Sequence, residues 1–478
     1  MRKILPADTL TPILAYMRVQ GEHKVILESI PREKENARFS IVAYNPVFEV
    51  TFKDGVLYEN GKAIDQDPFE YLDQVTVKGI KSDLPFAGGA IGFAGYDMIG
   101  LYENIGEIPE DTIGTPDMHF FIYESYLIFD HKKEKVYVVE DNIYSGRDND
   151  AVRQALGQVV TSLQTQAPNE FTPQAFDAVR QALGQVVTNL QTQAPNEFTP
   201  QALQALQFSN HIEKEVFMDM VAKAKKLIRE GDMFQCVLSQ RFSADFEGDP
   251  LDYYRNLRVT NPSNYLYFYD FGDYQVIGAS PESLVSVKNG EVVTNPIAGT
   301  RPRGANEAKD AALADELSHD IKETAEHRML VDLGRNDIGK IAKNGTVKVT
   351  KYMEVEYFRY VMHLTSVVKG QLLPELTALD ALKSTLPAGT VSGAPKIRAM
   401  RRIYELEQEK RGIYAGAIGY LSATGDMDFA IAIRTMILKN QKAYVQAGAG
   451  VVYDSVPENE FYETINKAKA MTRIGDAQ

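Results

Sequence analysis

Short runs that alternate apolar and polar residues dominate the first third of the chain. Residues 24–60 contain KVILES, RFSIVAY and VFEVTF, with turn-forming pairs at Asp54-Gly55 and Asn60-Gly61. A period of two is typical of half-buried β-strands, and Asp-Gly or Asn-Gly pairs close hairpins. The runs GAIGFAGYD, HFFIYESYLIFD and KVYVVED continue the pattern. We therefore predict a β-rich N-terminal region over residues 1–145, made mostly of antiparallel strands with some helices.

From about residue 209 the chain mixes helical and strand patterns. The segment NHIEKEVFMDMVAKAKKLIREGD repeats apolar residues at helical spacing and ends at Gly231. Further helices are predicted over 307–330 and 460–475. Strand-like runs follow one another as hairpins, among them MFQCVLSQRF, YLYFYDF, YAGAIGYLSA and DFAIAIRTMILKN. This order predicts an α+β fold with large antiparallel sheets and helices outside them, and it argues against a doubly wound parallel sheet.

A tandem duplication separates these two parts. Residues 150–176 and 177–203 are 27-residue copies that differ only at Ser162/Asn189 and Phe176/Leu203. A solenoid needs at least three repeats to bury a continuous core, so two copies indicate a duplicated connector. We predict a connector over 146–208 whose extra copy is a passive surface insertion.

Composition and charge exclude several classes of protein. The chain has 478 residues, 44% apolar and 24% charged, which is ordinary for a globular protein. Its net charge of −14 repels phosphate backbones, so we expect no nucleic-acid partner. No run approaches the ~18–20 apolar residues of a membrane span, and the N-terminus, interrupted by Pro6, Asp8 and Pro12, does not resemble a signal peptide. We therefore expect a cytoplasmic protein without a membrane partner.

Two pairs of glutamates have the spacing of one helix face. Glu323 and Glu326 are three residues apart, as are Glu460 and Glu463, and Lys467 follows Glu463 by four. If the two faces meet, their oxygen atoms suit Mg²⁺ better than Zn²⁺ or Cu²⁺. The alternative is two solvated helix faces with an i,i+4 salt bridge.

Three glycine-rich stretches are predicted to be turns after strands. They are GTRPRG (299–304), PAGTVSGAPK (387–396) and QAGAGVV (446–452). Backbone N–H groups in such turns can bind anions. None of the three completes a Walker A or GxGxxG motif, so any anion is expected to be a carboxylate. The alternative is that they are only tight turns.

Single polar residues stand inside apolar runs. His363 in VMHLTSVV is either a hydrogen-bonded core histidine or a general acid–base. Arg434 in AIAIRTMIL needs a carboxylate from the protein or from a ligand. Glu282 follows Pro281 and is either an acid with a raised pKa or a loop carboxylate. Cys236, the single cysteine, is expected to be a buried structural residue.

Together, six segments resemble the chorismate-utilising enzymes. They are PIAGTRPRG (296–304), IKETAEHRMLVDLGRNDIGK (321–340), MHLTSVVKG (362–370), LPAGTVSGAPKIRAM (386–400), AIAIRTM (430–436) and AGAGVVYDSVPENEFYETINKA (447–468). The resemblance implies two stacked antiparallel β-sheets flanked by helices, with 209–478 as the chorismate-binding catalytic domain and 1–145 as a regulatory region packed on it. It also implies an Mg²⁺-dependent lyase that converts chorismate and ammonia to anthranilate and pyruvate, the first step of tryptophan biosynthesis.

The resemblance also assigns roles to individual residues. It implies that Glu326 and Glu463 bind Mg²⁺ directly and that Glu323 and Glu460 assist through water. The residues implied to hold the carboxylates and ring of chorismate are Thr390, Tyr414, Arg434, Gly448, Ala449, Gly450 and Lys467. Glu282 matches the acid that protonates the leaving C4 hydroxyl, and His363 matches the histidine associated with pyruvate elimination.

Two positions distinguish the branches of this family. Relatives that add water at C2 carry a lysine base where this chain has Gln235, and an amide cannot act as that base. Aminodeoxychorismate synthases carry a nucleophilic lysine where this chain has Ala298. The resemblance therefore favours ammonia as the nucleophile. Aminodeoxychorismate synthesis and a non-catalytic binding protein remain the alternatives.

Two partners follow from the resemblance. No spare domain could house a glutaminase, so a separate glutamine amidotransferase subunit (component II) is expected to deliver ammonia. L-tryptophan is expected to inhibit the enzyme by binding residues that match the family's regulatory pocket: Glu28, Ser29, Asn261, Pro262, Ser263 and Tyr265. The family often has NPSPYM where this chain has NPSNYL.

Overall fold

The strands form two large antiparallel sheets. The computed structural model describes residues 1–29, 38–164, 206–357 and 361–474. The strands in chain order are β1 (Arg2–Pro6), β2 (Val25–Glu28), β3 (Phe39–Ala43), β4 (Phe48–Lys53), β5 (Val56–Glu59), β6 (Lys62–Ile64), β7 (Gly89–Ala94), β8 (Met118–Tyr123), β9 (Ser125–Asp130), β10 (Lys135–Glu140), β11 (Ser209–Asn210), β12 (Gln235–Asp245), β13 (Tyr265–Asp270), β14 (Tyr274–Ser280), β15 (Ser283–Lys288), β16 (Glu291–Thr294), β17 (Ile297–Pro302), β18 (Lys348–Tyr357), β19 (Val361–Gln371), β20 (Gly393–Ala394), β21 (Ala417–Ser422), β22 (Met427–Ile431), β23 (Thr435–Lys439) and β24 (Lys442–Val451).

Helices lie between these strands in the chain. They are α1 (Pro12–Arg18), α2 (Pro68–Thr76), α3 (Asn149–Gln164), α4 (Lys214–Arg229), α5 (Pro250–Thr260), α6 (Glu307–His319), α7 (Ile321–Gly339), α8 (Ala378–Thr385), α9 (Lys396–Leu406) and α10 (Pro457–Thr472). Short 3₁₀ turns cover Tyr96–Leu101 and Gly389–Val391. No helix in the described ranges has the length and apolar character needed to cross a membrane.

Each sheet combines strands from both ends of the chain. The first sheet has the order β1-β10-β9-β3-β2-β13-β14-β23-β24-β12-β11, with β20 also paired to β12. The second has the order β17-β19-β16-β15-β22-β21-β7-β8-β4-β5-β6, with β18 paired to β19. The N-terminal strands therefore continue both sheets at β2/β13 and β7/β21. The division of the chain into regulatory and catalytic regions stays a prediction.

Three apolar cores hold this architecture together. One lies between the sheets, where Phe93 and Phe121 of the second sheet meet Tyr267 and Val276 of the first. A second packs α1, α3, α5 and α10 on the outer face of the first sheet. A third packs α2, α7, α8 and α9 on the outer face of the second sheet. Because both faces of each sheet bury apolar side chains, the strands contain few solvent-facing positions. The predicted fold, two stacked antiparallel sheets flanked by helices, is confirmed.

One predicted helix is two helices. The pattern over 307–330 predicted a single helix, but α6 ends at His319 and α7 begins at Ile321. Asp320 between them has an extended backbone, with ψ of 115°, and its side chain accepts hydrogen bonds from the amides of Lys322 and Glu323. An aspartate in that position caps a new helix, which the apolar spacing alone does not reveal.

The duplicated connector is described only in part. The first fifteen residues of the first copy lie in α3, whose buried side chains are Val152, Val160 and Leu163. The second copy, 177–203, lies outside the described residues. The prediction that it is a passive insertion is therefore untested.

Candidate active site

The four glutamates occupy the first two turns of α7 and α10. Asp320 caps α7, its Oδ1 accepting from the amides of Lys322 at 2.9 Å and Glu323 at 3.0 Å. Pro457 occupies the first turn of α10, a position that proline favours because its missing N–H is not needed there. Acidic side chains near a helix N-terminus are stabilised by the helix dipole. Local sequence thus explains why both pairs form on helix starts.

Within each pair the carboxylates disfavour each other's charge. Burial, and then the neighbouring Glu326, raise the pKa of Glu323. Burial raises the pKa of Glu460, Glu463 adds to this increase, and Lys322 of α7 opposes it. The charge of Lys322 on α7 thus acts on Glu460 of α10.

The carboxylates do not form a closed metal cage. Among the described residues, no group of three or more His, Cys, Asp or Glu side chains is arranged to hold a metal ion. Arg301 Nη1 lies 3.7 Å from Glu323 Oε1, and Lys467 Nζ lies 2.7 Å from Glu463 Oε1. The donor atoms are all oxygen and each pair carries repelling charge, which fits a hard divalent cation such as Mg²⁺. The shared metal site stays a prediction.

Gln235 connects the first sheet to α7. Gln235 begins β12 and is only 3% exposed, and its Nε2 donates to Glu326 Oε1 at 3.2 Å. Its Oε1 is buried and has no hydrogen-bond partner among the described residues. A buried, unpaired amide oxygen is costly, so the position offers an acceptor to whatever enters the site.

Glu282 lies between β14 and β15 and contacts the 3₁₀ turn of the PAGTVSGAPK segment. The Thr390 hydroxyl donates to Glu282 Oε1 at 3.0 Å. Burial raises the pKa of Glu282 to about 7, while the Thr390 hydrogen bond and the charge of Lys467 act in the opposite direction. A carboxyl group that keeps its proton near neutral pH can act as a general acid.

Lys467 joins three parts of the site. Its ammonium donates to the carbonyl oxygen of Gly448 at 3.1 Å and pairs with Glu463 on its own helix. It also lowers the pKa of Glu282 by its charge. One cation of α10 is therefore close to the proposed acid, to β24 and to a proposed metal ligand.

The glycine-rich stretch at 446–452 is a strand, not a turn. Gly448, Ala449 and Gly450 belong to β24 and pair with Ser239, Leu238 and Val237 of β12. GTRPRG likewise begins in β17, so two of the three predicted turns were wrong. The small side chains permit close approach: a Cβ on Gly448 would lie 2.8 Å from the Tyr414 hydroxyl, and one on Gly450 would lie 2.8 Å from Gln235 Nε2.

Arg434 lies at the point where the pairing between β23 and β24 ends. Strand β23 begins at Thr435, and its pairing with β24 extends only to Met436 opposite Val445. Arg434 has a left-handed backbone, with φ of 50°, and its carbonyl oxygen accepts from the amide of Ala279 in β14 at 3.0 Å. Among the described residues its guanidinium makes no hydrogen bond or ion pair, and burial lowers its pKa. A half-buried cation beside an open strand edge is suited to a carboxylate ligand.

His363 lies on β19 against the PIAGTRPRG strand. Its Nδ1 is 2.8 Å from the carbonyl oxygen of Gly299 and 3.1 Å from Thr300 Oγ1. A proton on Nδ1 satisfies the Gly299 carbonyl, which makes Nε2 the basic nitrogen. Burial lowers the pKa of His363, and the charge of Arg434 lowers it further. The imidazole is therefore neutral at physiological pH, as a general base requires.

Two cations of the site were missed in the sequence. Arg301 lies in the GTRPRG motif and binds Glu316 at 3.0 Å and Asp320 at 2.8 Å, holding the start of α7. Lys322 follows the helix cap, and its charge lowers the pKa of Glu460. The GTRPRG motif predicts an anion site through its backbone amides, and its arginine side chains are the signal for these ion pairs.

The residues predicted to bind an effector come together at one end of the first sheet. Glu28 ends β2 opposite Leu266 of β13, and it is 5% exposed. Its carboxylate accepts from the Tyr254 hydroxyl at 2.7 Å and from Arg258 Nη2 at 3.0 Å. Asn261, Pro262, Ser263 and Ser29 are partly buried beside it, and the Tyr265 hydroxyl donates to Asp428 Oδ1 at 3.0 Å.

A wide surface concavity lies away from all these residues. Its volume is about 790 Å³, and it is lined by Tyr44, Glu140, Arg147 and neighbours beside α3. It contains none of the predicted site residues, so size alone does not identify the reactive site. A much smaller cavity of about 40 Å³ lies against Glu282 and Thr390.

Comparisons with known proteins identify the family of this chain. A family model described as a chorismate binding enzyme matches residues 23–473. Anthranilate synthase component 1 of Lactococcus lactis subsp. lactis (strain IL1403) is 54% identical over 484 residues, covering 99% of this chain and 100% of the relative. The crystal structure of anthranilate synthase component I from Streptococcus pneumoniae TIGR4 matches with a TM-score of 0.83 and 65% identity, covering 98% of this chain and 99% of that one. The chain therefore belongs to the chorismate-binding enzyme family, together with these anthranilate synthase component 1 relatives.

Proposed function

We propose that this chain is the large subunit of an anthranilate synthase, which converts chorismate and ammonia to anthranilate and pyruvate. The observation that carries the proposal is the neutral, buried amide of Gln235, 3.2 Å from Glu326. An amide cannot remove a proton from water at neutral pH, whereas ammonia already has a lone pair. Ala298 on β17 offers no nucleophile either.

The first half of the reaction replaces the C4 hydroxyl by an amine at C2. Glu282 donates its proton to the hydroxyl, which leaves as water, and the nitrogen lone pair of ammonia forms the new C2–N bond. The raised pKa of Glu282, about 7, keeps that proton available. Arg434, the Lys467 ammonium and the β24 backbone hold the substrate's carboxylates in place.

The second half eliminates pyruvate and makes the ring aromatic. A base must accept the ring proton at C2 while the bond to the enolpyruvyl oxygen breaks. The neutral imidazole of His363, oriented by Gly299, is suited to this transfer.

Mg²⁺ is proposed as the cofactor. When bound, it would supply positive charge beside the ring carboxylate of chorismate. Glu326 and Glu463 would bind it directly, and Glu323 and Glu460 would bind it through water. The support is the like-charge repulsion within each pair, which raises the pKa of Glu323 and of Glu460.

A separate glutaminase subunit is proposed as the ammonia source. A glutaminase needs a reactive cysteine thiolate, but Cys236 is buried and burial raises its pKa to about 12. The chain alone is expected to use only free ammonia.

L-tryptophan is proposed as an inhibitor bound near Glu28. The support is the pairing of Glu28 with Leu266, the residue that follows the segment 261–265. Calorimetric titration with L-tryptophan tests this directly: Glu28→Gln should weaken binding at least tenfold, while Glu49→Gln, a carboxylate change in the second sheet, should not. Equal affinity in both variants would exclude the site.

One assay tests the reaction itself. The purified chain is incubated with chorismate, Mg²⁺ and an ammonium salt, and anthranilate fluorescence and pyruvate are followed. Both products should appear at equal rates. Aminodeoxychorismate without pyruvate would indicate the other branch, and no turnover would indicate a non-catalytic binding protein.

A further inference from the structure

A small cavity lies behind Glu282, on the side of the second sheet that packs against α7 and α8. Its volume is about 40 Å³, and its polar lining includes Glu282, Thr390, Asn295, Thr385 and Asp337. A water molecule needs roughly 10–15 Å³ of such space and several polar partners. The cavity meets both requirements. We call it the rear cavity.

The inner end of the rear cavity carries an unsatisfied acceptor. Asp337 of α7 is 5% exposed, and its Oδ2 accepts from Lys396 Nζ at 2.7 Å. Its Oδ1 is buried and has no hydrogen-bond partner among the described residues; Lys340 Nζ lies 3.7 Å from it. Lys396 is also held by the carbonyl oxygen of Thr385 at 3.2 Å. Buried carboxylate oxygens are normally hydrogen-bonded to protein or to ordered water.

Glu282 lacks a second partner at the opposite end. Thr390 occupies Oε1, and no described residue hydrogen-bonds to Oε2. The buried carboxylate of Asp337 and the half-buried carboxyl group of Glu282 therefore border one polar cavity that is large enough for water. Lys467, from α10, lowers the pKa of Glu282 by its charge.

We propose that the rear cavity is a built hydration site, in which ordered water bridges Asp337 Oδ1 and the carboxyl group of Glu282. Asp337 and Lys396 are then positioning residues: they act on the acid through water and do not touch substrate. This inference rests on the proposed role of Glu282. Water that donates to Asp337 presents its oxygen to the Glu282 O–H, which favours the protonated acid.

Removing the negative or the positive charge of this pair should shift the pH dependence of the rate in opposite directions. Asp337→Asn removes a negative charge and leaves Lys396 unpaired, so Glu282 should ionise more easily. The alkaline limb of the rate profile should move to lower pH, by roughly 0.5–1 unit. Lys396→Met leaves Asp337 unpaired and should move the limb to higher pH by a similar amount. A damaged fold would lower the rate without producing opposite shifts.

A third variant displaces the water without changing charge. Gly334 of α7 lines the rear cavity, and a Cβ there would lie 3.2 Å from Thr294 Cγ2. Alanine has a higher helix propensity than glycine, so Gly334→Ala should fold even if the charge variants do not. Loss of the water removes the acceptor of the Glu282 O–H, so the alkaline limb should move to lower pH. Asp332→Asn, an exposed change on the same helix, is the matched control and should leave the profile unchanged.

The experiment combines rate profiles with a crystal structure of the chain. Each variant's rate is divided by the wild-type rate at every pH, which cancels the titration of ammonia. Opposite shifts in Asp337→Asn and Lys396→Met, with ordered water bridging Asp337 and Glu282, would support the inference. Profiles that coincide with the wild type, or a dry cavity, would overturn it. If wild type makes no anthranilate, the proposed function fails, and the crystallographic water alone decides the hydration site.

Discussion

Gln235 and Glu326 are hydrogen-bonded across the interface between the first sheet and α7, with Nε2 3.2 Å from Oε1. The residue proposed to determine the nucleophile thus contacts a proposed metal ligand. Because Gln235 is uncharged, it leaves the negative charge of Glu326 available to a cation. The identity of residue 235 should therefore affect both amine addition and metal binding.

Gln235→Lys should lower the anthranilate rate at least tenfold, because the new ammonium would pair with Glu326 and compete with the metal. The rate is measured by anthranilate fluorescence, and chromatography shows whether a water adduct of chorismate appears. Gln235→Leu, which is neutral, separates loss of the hydrogen bond from the effect of charge. A wild-type rate in Gln235→Lys would contradict this role.

Glu326→Gln and Glu463→Gln should each lower turnover by a factor of about 100 or more, since each removes a charged Mg²⁺ ligand. The Mg²⁺ concentration for half-maximal rate should rise in both variants. Glu458→Gln is the control, because Glu458 lies on α10 together with Glu463 but pairs with Lys214 outside the site. Full activity in the presence of EDTA would refute the metal assignment.

Thr390→Val should move the alkaline limb of the rate profile to higher pH. The Thr390 hydrogen bond lowers the pKa of Glu282, so its removal raises a pKa that is already about 7. Thr390→Ser retains a hydroxyl and should behave like the wild type. A limb that moves to lower pH in Thr390→Val would show that Glu282 is not the group being titrated.

Glu282 should also make stability depend on pH. Its pKa is about 7 in the folded protein, against 4.5 in its reference state. The folded state therefore binds more protons between these values, and its stability falls as pH rises through that window, by at most about 3 kcal/mol. Glu282→Gln lacks this titration. Its free energy of unfolding in urea, relative to that of the wild type, should therefore increase from pH 5 to about pH 8. Parallel curves would contradict this pKa.

Two deletions test the duplicated connector as a matched pair. Removing 177–203 leaves the first copy, whereas removing 150–176 joins Asn149 to the second copy, which has valine and leucine at the positions of Val152, Val160 and Leu163. The products differ at only two residues, and both retain Asp148, which caps α3. Both should keep near-normal anthranilate rates and melting temperatures. A large loss in either would show that the second copy is not passive.

Much of the site was predictable because its signals are local. The i,i+3 spacing of Glu323 with Glu326 places both on one helix face, whatever the rest of the fold does. His363, Arg434 and Glu282 stood out as polar residues within apolar runs. The family motifs then supplied their roles, and the comparisons confirmed the family.

Other features could not be predicted from the sequence, because they depend on non-local contacts. The stretch 446–452 was predicted to be a turn, but its small residues serve a strand that passes close to Tyr414 and Gln235. The break at Asp320 depends on a cap that apolar spacing does not show. Arg301 became part of the site only through its ion pairs with α7.

The strand and helix periods, the two acidic helix faces, the neutral residue at 235 and the family can be predicted from the sequence, because each is encoded within a few neighbouring residues. The packing of the folded chain is needed to show that Thr390 binds Glu282, that Lys467 reaches Gly448, and that Asp337 and Glu282 share one cavity. These contacts join residues 19 to 108 positions apart in the chain, and strand order, register and helix packing set their distances. No local pattern contains that information.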